Sequence, residues 1–243
     1  MDNVIVTGAS RGLGLAIAER LASDGFRVVA VARRNSEALE KASAEASRGP
    51  GSLEFAALDL GDVGAIPVFV RETRARIGAI FGLVNNAGLG TQGLLANMPD
   101  ADIEALIRLN TLSPILMSKY VVRGMMAEGR GRVVNMSSII ASTGFNGLSV
   151  YAATKASLVG FTKSLAREVG RVGVTVNAIA PGFIDTELTN GLGEADRERI
   201  VARSALRRLA VPRDVAAMAS FLLAESGRNI SGAVMTVDAG GSA

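Results

Sequence analysis

The chain has 243 residues, 49% of them hydrophobic, enough to bury roughly 70–75% of its unfolded surface in one domain without a disulfide or metal staple. It contains no cysteine and no histidine, which removes the common ligands of zinc, iron–sulfur clusters and haem, and no carboxylate cluster stands out to replace them. The formal net charge is only +3, with no basic tail and no basic patch interleaved with aromatics, so nucleic acid is excluded as an expected partner.

Apolar, β-branched runs recur along the sequence. In order they are NVIVT (3–7), RVVAVA (27–32), SLEFAALD (52–59), IFGLVNN (80–86), RVVNMSS (132–138), VTVNAIA (174–180) and AVMTVD (233–238). Most are separated by stretches of helical period, such as LGLAIAERLASDG (13–25), which closes on a glycine suited to a helix C-terminus. Near-continuous apolar strands alternating with helices predict a parallel sheet covered on both faces, a doubly wound α/β domain spanning 1–243. Such sheets take ligands beyond the carboxyl ends of their strands. The alternation breaks over 186–214, where a polar, glycine-bearing stretch precedes the last strand; a mobile lid over about 186–205 is expected to set substrate choice. Strand-like sequence from residue 3 leaves no room for a signal peptide, and no apolar run approaches the ~20 residues of a membrane span. No membrane partner and a cytoplasmic location are therefore expected.

The first strand runs into TGASRGLG, which sets Gly8, Gly12 and Gly14 around Ser10, Arg11 and Leu13. Glycines let a backbone approach a pyrophosphate, whose charge then meets the amides opening the next helix. The bland alternative is a strand–helix turn with no ligand. At the end of the second strand an NAD site carries an acidic residue for the ribose hydroxyl. Here the chain reads Ala32, Arg33, Arg34, with Arg11 inside the glycine turn, so guanidinium forks suited to a 2′-phosphate stand where a repelling carboxylate would be. This points to NADP(H) as cofactor, unless Arg33 and Arg34 are plain solvated turn residues.

Farther on, Tyr151 precedes Lys155 by one helical turn in SVYAATKAS, so the two share a helix face. A free phenol, with pKa ~10, exchanges protons poorly at neutral pH. A nearby ammonium lowers that value, as does the charge of an oxidised nicotinamide. Each residue also has an ordinary alternative: packing for the tyrosine, solvation for the lysine, a turn cap for Ser138.

Taken in order, TGASRGLG, NNAG (85–88), NMSS (135–138), YAATK (151–155) and PGFIDT (181–186) resemble the short-chain dehydrogenase/reductase family over nearly the whole chain. Through SLAREVG (164–170), VTVNAIAPGFIDT and VDAGG (237–241) the sequence looks most like the 3-oxoacyl-acyl-carrier-protein reductases of that family. The resemblance implies a Rossmann-type seven-stranded fold and a catalytic set of Asn110, Ser138, Tyr151 and Lys155. It implies that Asp59 and Leu60 hold the adenine and that Asn86, Ala87 and Gly88 wall the adenosine. Pro181, Gly182, Ile184 and Thr186 would cradle the nicotinamide, and Tyr151 and Lys155 would also touch the cofactor. Ser138 would hold the substrate oxygen while Tyr151 delivers its proton, and Lys155 would hold the ribose. Pro114 lies four residues past Asn110 and withholds the helical partner of its carbonyl, leaving that carbonyl to a water leading from Lys155, or to a packing kink.

Reductases of this kind typically show arginines after the Asn helix and after the Tyr helix. Gly129 and Val172 occupy those places here, with Arg130 and Arg171 one step away as candidate contacts for acyl carrier protein at the pocket mouth. A homotetramer is expected from the likeness, through Leu106, Met117, Val121, Leu158, Phe161 and Leu165 on the two long helices and through the apolar last strand. The expected activity is NADPH-dependent reduction of a 3-oxoacyl thioester. The alternatives are the same chemistry on a polyketide, sugar or steroid, and a dinucleotide-binding regulator without turnover.

Overall fold

A computed structural model describes residues 1–90, 93–184 and 194–243. Seven strands form one sheet: β1 (Asn3–Thr7), β2 (Arg27–Ala32), β3 (Ser52–Ala57), β4 (Ile80–Asn85), β5 (Gly131–Met136), β6 (Val174–Pro181) and β7 (Val234–Val237). Their order is β3-β2-β1-β4-β5-β6-β7, and every pairing is parallel. Winding direction reverses between β1 and β4, which opens a crevice at the carboxyl ends of those two strands.

The helices are α1 (Gly12–Ser23), α2 (Glu37–Ala46), α3 (Ile66–Ile77), α4 (Asp100–Ile107), α5 (Ser113–Glu128), α6 (Ile140–Thr143), α7 (Ser149–Val169), α8 (Glu194–Arg203) and α9 (Pro212–Leu223). Strand side chains alternate between two cores. Val4 and Val6 pack with α1 and α9, whereas Ile5 between them packs with α3, α5 and α7. Both faces are therefore dry, which is why the strands read as unbroken apolar runs. Just past α1, Gly25 turns the chain at φ +94°, as the glycine at the end of that helical run predicts.

Four of the apolar side chains expected at an oligomer contact face inward. Leu106, Met117, Val121 and Leu158 are buried inside the protomer, at 2% exposure or less, because α4, α5 and α7 turn these faces onto the sheet and one another. They cannot supply an outer contact face. The apolar side chains that these helices do present outward include Ile107 and Met126. Among the described residues no helix is long and apolar enough to cross a membrane.

Candidate active site

The glycine turn lies at the carboxyl end of β1, over the switch point. Gly8 and Gly12 take φ of +67° and +56°, a region that side chains disfavour. A Cβ on Gly8 would come within 2.8 Å of the Ala87 Cα, and one on Gly14 within 2.2 Å of the Gly8 carbonyl oxygen. Gly12 differs: a Cβ there would meet nothing within 4 Å. Helix α1 begins at this open place with no capping side chain and no acid in its first turn. Bare first-turn amides beside an open cradle suit an anionic pyrophosphate. The candidate dinucleotide therefore fits the residues present.

Next to the cradle, the Ser36 hydroxyl caps α2 through the Leu39 amide and donates to the Ser10 carbonyl at 2.5 Å. That bond ties the β2–α2 turn to the glycine turn, and the side chains of Arg11, Arg33 and Arg34 are all exposed along this rim. Leu13 is half-buried against the core. Asp59 is exposed just beyond β3, where its carboxylate accepts from the Gly61 amide at 2.8 Å, while Leu60 is buried.

The NNAG stretch is latched to β1. The Thr7 hydroxyl accepts from the amides of Asn86 and Ala87, both at 3.0 Å, and the Asn86 side chain donates to the Thr7 carbonyl at 2.9 Å. Gly88 then passes so close to Asn110 and Lys155 that a Cβ would lie 3.2 Å from Oδ1 of one and 3.4 Å from Nζ of the other. Asn110 sits in a π turn, Arg108–Leu112, between α4 and α5. The sequence predicts one helix interrupted at Pro114; the fold answers with a wider turn in which the i→i+5 pattern replaces bonds proline cannot make. The Asn110 side chain is a clamp, accepting from the Leu89 amide and donating to the Leu89 carbonyl, each at 2.8 Å.

At the carboxyl end of β5, Ser138 is 8% exposed and its hydroxyl accepts from the Ile140 amide at 3.3 Å. The Ser138 hydroxyl lies close enough to the Tyr151 phenol to favour its ionised form. Lys155 is buried on the same face of α7, donates to the Met136 carbonyl at 2.9 Å, and lies 5.7 Å from the Tyr151 ring centre. The Ser137 hydroxyl donates to the Lys155 carbonyl, fixing that turn of α7 to the strand end. Burial pushes the Tyr151 phenol above its usual value, and the bond to Ser138 draws it partly back. Burial also lowers the Lys155 amine to about 8. This corrects the expectation that Lys155 already acidifies the tyrosine. The ammonium is directed at a backbone carbonyl, and loss of water around the phenol dominates.

The walls around these groups are uncharged: residues 85–99, 133–154 and 174–184 contain no Asp, Glu, Lys or Arg. Phe145 and Phe183 meet edge-on at 5.7 Å, and Leu94 and Leu95 stand more than half exposed nearby in sequence to Gly93, which bonds to Gly147. Pro181 accepts from the Ile139 amide, and Gly182 approaches Asp238 so tightly that a Cβ would lie 2.5 Å from the aspartate Cβ. Ile184 is buried and bridges to Ala210. Thr186 and residues 186–193 of the expected lid lie outside the described residues.

Within the protomer, Arg130 and Arg171 lie away from this mouth. They precede β5 and β6, so they lie at the amino ends of strands whose carboxyl ends carry the site, about 20 Å of strand away. Arg130 is engaged there with Asp2 at 2.5 Å and with the Phe81 ring at 4.5 Å. In a parallel sheet, a residue just before a strand and one just after it face opposite edges.

Sequence reasoning passed over the polar ladder beneath the site. Asn85 donates to Ser118 and to Asn135, and Asn135 donates to Thr162, all between 2.8 and 2.9 Å and all buried. The signal was present as an asparagine in the same register position of two otherwise apolar strands.

Comparison with known proteins bears on this arrangement. A family model described as short chain dehydrogenase matches residues 2–197. The chain is 38% identical over 236 residues to the 3-oxoacyl-[acyl-carrier-protein] reductase FabG of Escherichia coli (strain K12), covering 97% of this chain and 95% of that one. It is 40% identical over 237 residues to FabG of Vibrio harveyi, with the same coverage. Identity to FabG of Pseudomonas aeruginosa is 37% over 239 residues, again 97% and 95% of the two chains.

Proposed function

Since the chain belongs to the short chain dehydrogenase family, we propose that it reduces a 3-oxoacyl thioester, carried on acyl carrier protein, to the 3-hydroxyacyl form with NADPH. The observation that carries this reading is the approach of the Ser138 hydroxyl to the Tyr151 phenol, with Lys155 buried one helical turn on, beside an uncapped helix start at the switch point. Relatives named for this reaction cover nearly the whole chain, which supports the choice of substrate.

The reduced nicotinamide supplies the hydride that the carbonyl carbon gains. The protein's own groups handle the oxygen. Ser138 donates a hydrogen bond to it, stabilising negative charge as it develops. Tyr151 transfers its phenolic proton to the same oxygen, completing the alcohol. Lys155, 5.7 Å from the Tyr151 ring centre, is the group through which the proton is replaced. The uncharged walls suit a neutral, aliphatic 3-oxoacyl group and disfavour a sugar phosphate or carboxylate beside the carbonyl. The test is NADPH oxidation followed with a 3-oxoacyl thioester on carrier protein, against free β-ketoesters, sugars and steroids. Activity confined to sugars or steroids would overturn the assignment.

Cofactor choice follows from the rim. Arg11 and Arg33 flank the tied turns, with no acid at the end of β2, so NADPH is expected to exceed NADH at least ~10-fold in kcat/KM, or about 1.4 kcal/mol. Arg33→Asp removes the attraction and adds repulsion, and should invert the ratio. Equal use of the two cofactors by the parent protein would refute the arginine clamp.

A further inference from the structure

Two non-glycine residues among those described hold a left-handed backbone, Arg207 at φ +52° and Ala239 at φ +55°. They lie on opposite sides of one clip. The amides of Ala205 and Leu206 donate to the carbonyls of Gly240 and Ala239, and the Ser204 hydroxyl donates to Ala239 at 2.6 Å. Gly240 is pressed so close to Ala205 that a Cβ would lie 2.6 Å from the alanine Cβ. Strain of this kind persists where the surroundings enforce it.

The clip holds out an unusual surface. Leu206 is 59% exposed, more than any other large hydrophobic side chain described except Met1, and Arg203, Arg207 and Arg208, close to it in the chain, are exposed, with the Arg207 guanidinium donating to the Ala202 carbonyl. Residues 197–213 contain six arginines against one acid, Glu198. Asp214, the next acid along, is engaged in capping α9 through the Val211 amide at 2.9 Å. An apolar knob accompanied by guanidinium groups is a poor solvent surface and a good complement to an acidic one.

Its place in the fold is at the mouth. Ala210 bridges to Ile184, Gly182 bonds to Val237, and the clip grips Ala239 and Gly240, so the knob is continuous with the 181–184 turn that walls the candidate site. Within the protomer, this is the edge of the sheet that Arg130 and Arg171 do not reach.

We propose that Leu206, Arg207 and Arg208, with Arg203, form the docking surface for an acidic carrier protein that delivers the thioester on a flexible arm. The arginines steer and orient the carrier, and Leu206 seats in an apolar crease of it. This rests on the reductase reading of the site, and the two can be separated experimentally.

The probes are a 3-oxobutanoyl group on acyl carrier protein and the same group on N-acetylcysteamine, which shares the thioester and lacks the carrier. Arg207→Glu combined with Arg208→Glu should raise KM for the carrier-bound probe at least ~10-fold and leave the small thioester within ~2-fold. Leu206→Ser, which keeps every charge, should show the same selective loss. Raising salt should increase the parent's carrier KM and leave that of the charge-reversed variant flat, since exposed pairs are screened within about 8–10 Å. Equal loss on both probes, or no loss on either, overturns the docking surface. If the parent turns over neither probe, the reductase reading falls. Fluorescence anisotropy of labelled carrier then decides docking by itself: binding lost in the variants upholds the surface, and unchanged binding overturns it.

Discussion

Tyr151→Phe should lower the reduction rate by at least ~10²-fold, about 2.7 kcal/mol of barrier, while a fluorescence titration shows dinucleotide still bound. The ring keeps its place because it packs on the buried face of α7, and the change removes one oxygen. That oxygen lies beside the Ser138 hydroxyl and is the acid nearest a substrate carbonyl placed between the two. No histidine or cysteine exists anywhere in the chain to take over the proton transfer. Because burial holds the phenol above its usual value, the proton is retained at neutral pH and available for donation. A phenylalanine variant within a few-fold of the parent would remove Tyr151 from the chemistry.

Lys155→Met should separate function from stability. Turnover is expected to fall by at least ~10²-fold, since Lys155 is the one amine buried on that face of α7 to replace the proton of Tyr151. Stability should move the other way. An amine lowered from 10.5 to about 8 opposes folding at pH 7 by about 3 kcal/mol. Removing its hydrogen bond to the Met136 carbonyl returns about 1–3 kcal/mol of that, so a net gain of about 1 kcal/mol is expected, read as a melting point higher by about 2–4 °C. The pH dependence gives the sharper readout. Below about 8 the lysine is protonated in both folded and unfolded chains, and the penalty is constant. Above that, the folded chain binds fewer protons than the unfolded one, so parent stability should rise with pH between about 8 and 10. Beyond 10 the raised Tyr151 value acts in the opposite direction, because the folded chain then holds the extra proton. A parent with flat stability across that window, or a variant that rises as steeply, would contradict a buried, charge-penalised lysine.

The strands were legible because parallel strands buried on both faces must be continuous apolar runs; RVVAVA and NVIVT match their observed spans. The glycine turn and the Tyr151–Lys155 pair were legible for a related reason, since each depends on spacing within a few residues. What distant registers decide was not. The Thr7 latch joins residues 79 and 80 positions apart, and the Asn85–Asn135 pair depends on how β4 meets β5. Asn110 was expected to act through its backbone carbonyl, and its side-chain amide is committed to Leu89. Arg130 and Arg171 lie at the opposite edge of the protomer's sheet from the site, because the strands they precede run toward it. Ionisation shifts depend on burial, which no motif encodes.

The reversal of winding at β1 and β4 has a hereditary consequence. The arginines proposed to select the 2′-phosphate, Arg11 and Arg33, precede β4, whereas Ser138, Tyr151, Lys155 and the arginine-bearing clip follow it. The two portions meet along the β1–β4 ladder, at the Thr7 latch and where α1 packs on α9. A genetic crossover within α3 that preserved those three seams would exchange one chain's carbonyl substrate for another's and leave its preference for a 2′-phosphate behind unchanged. Cofactor and substrate choice can thus be inherited separately.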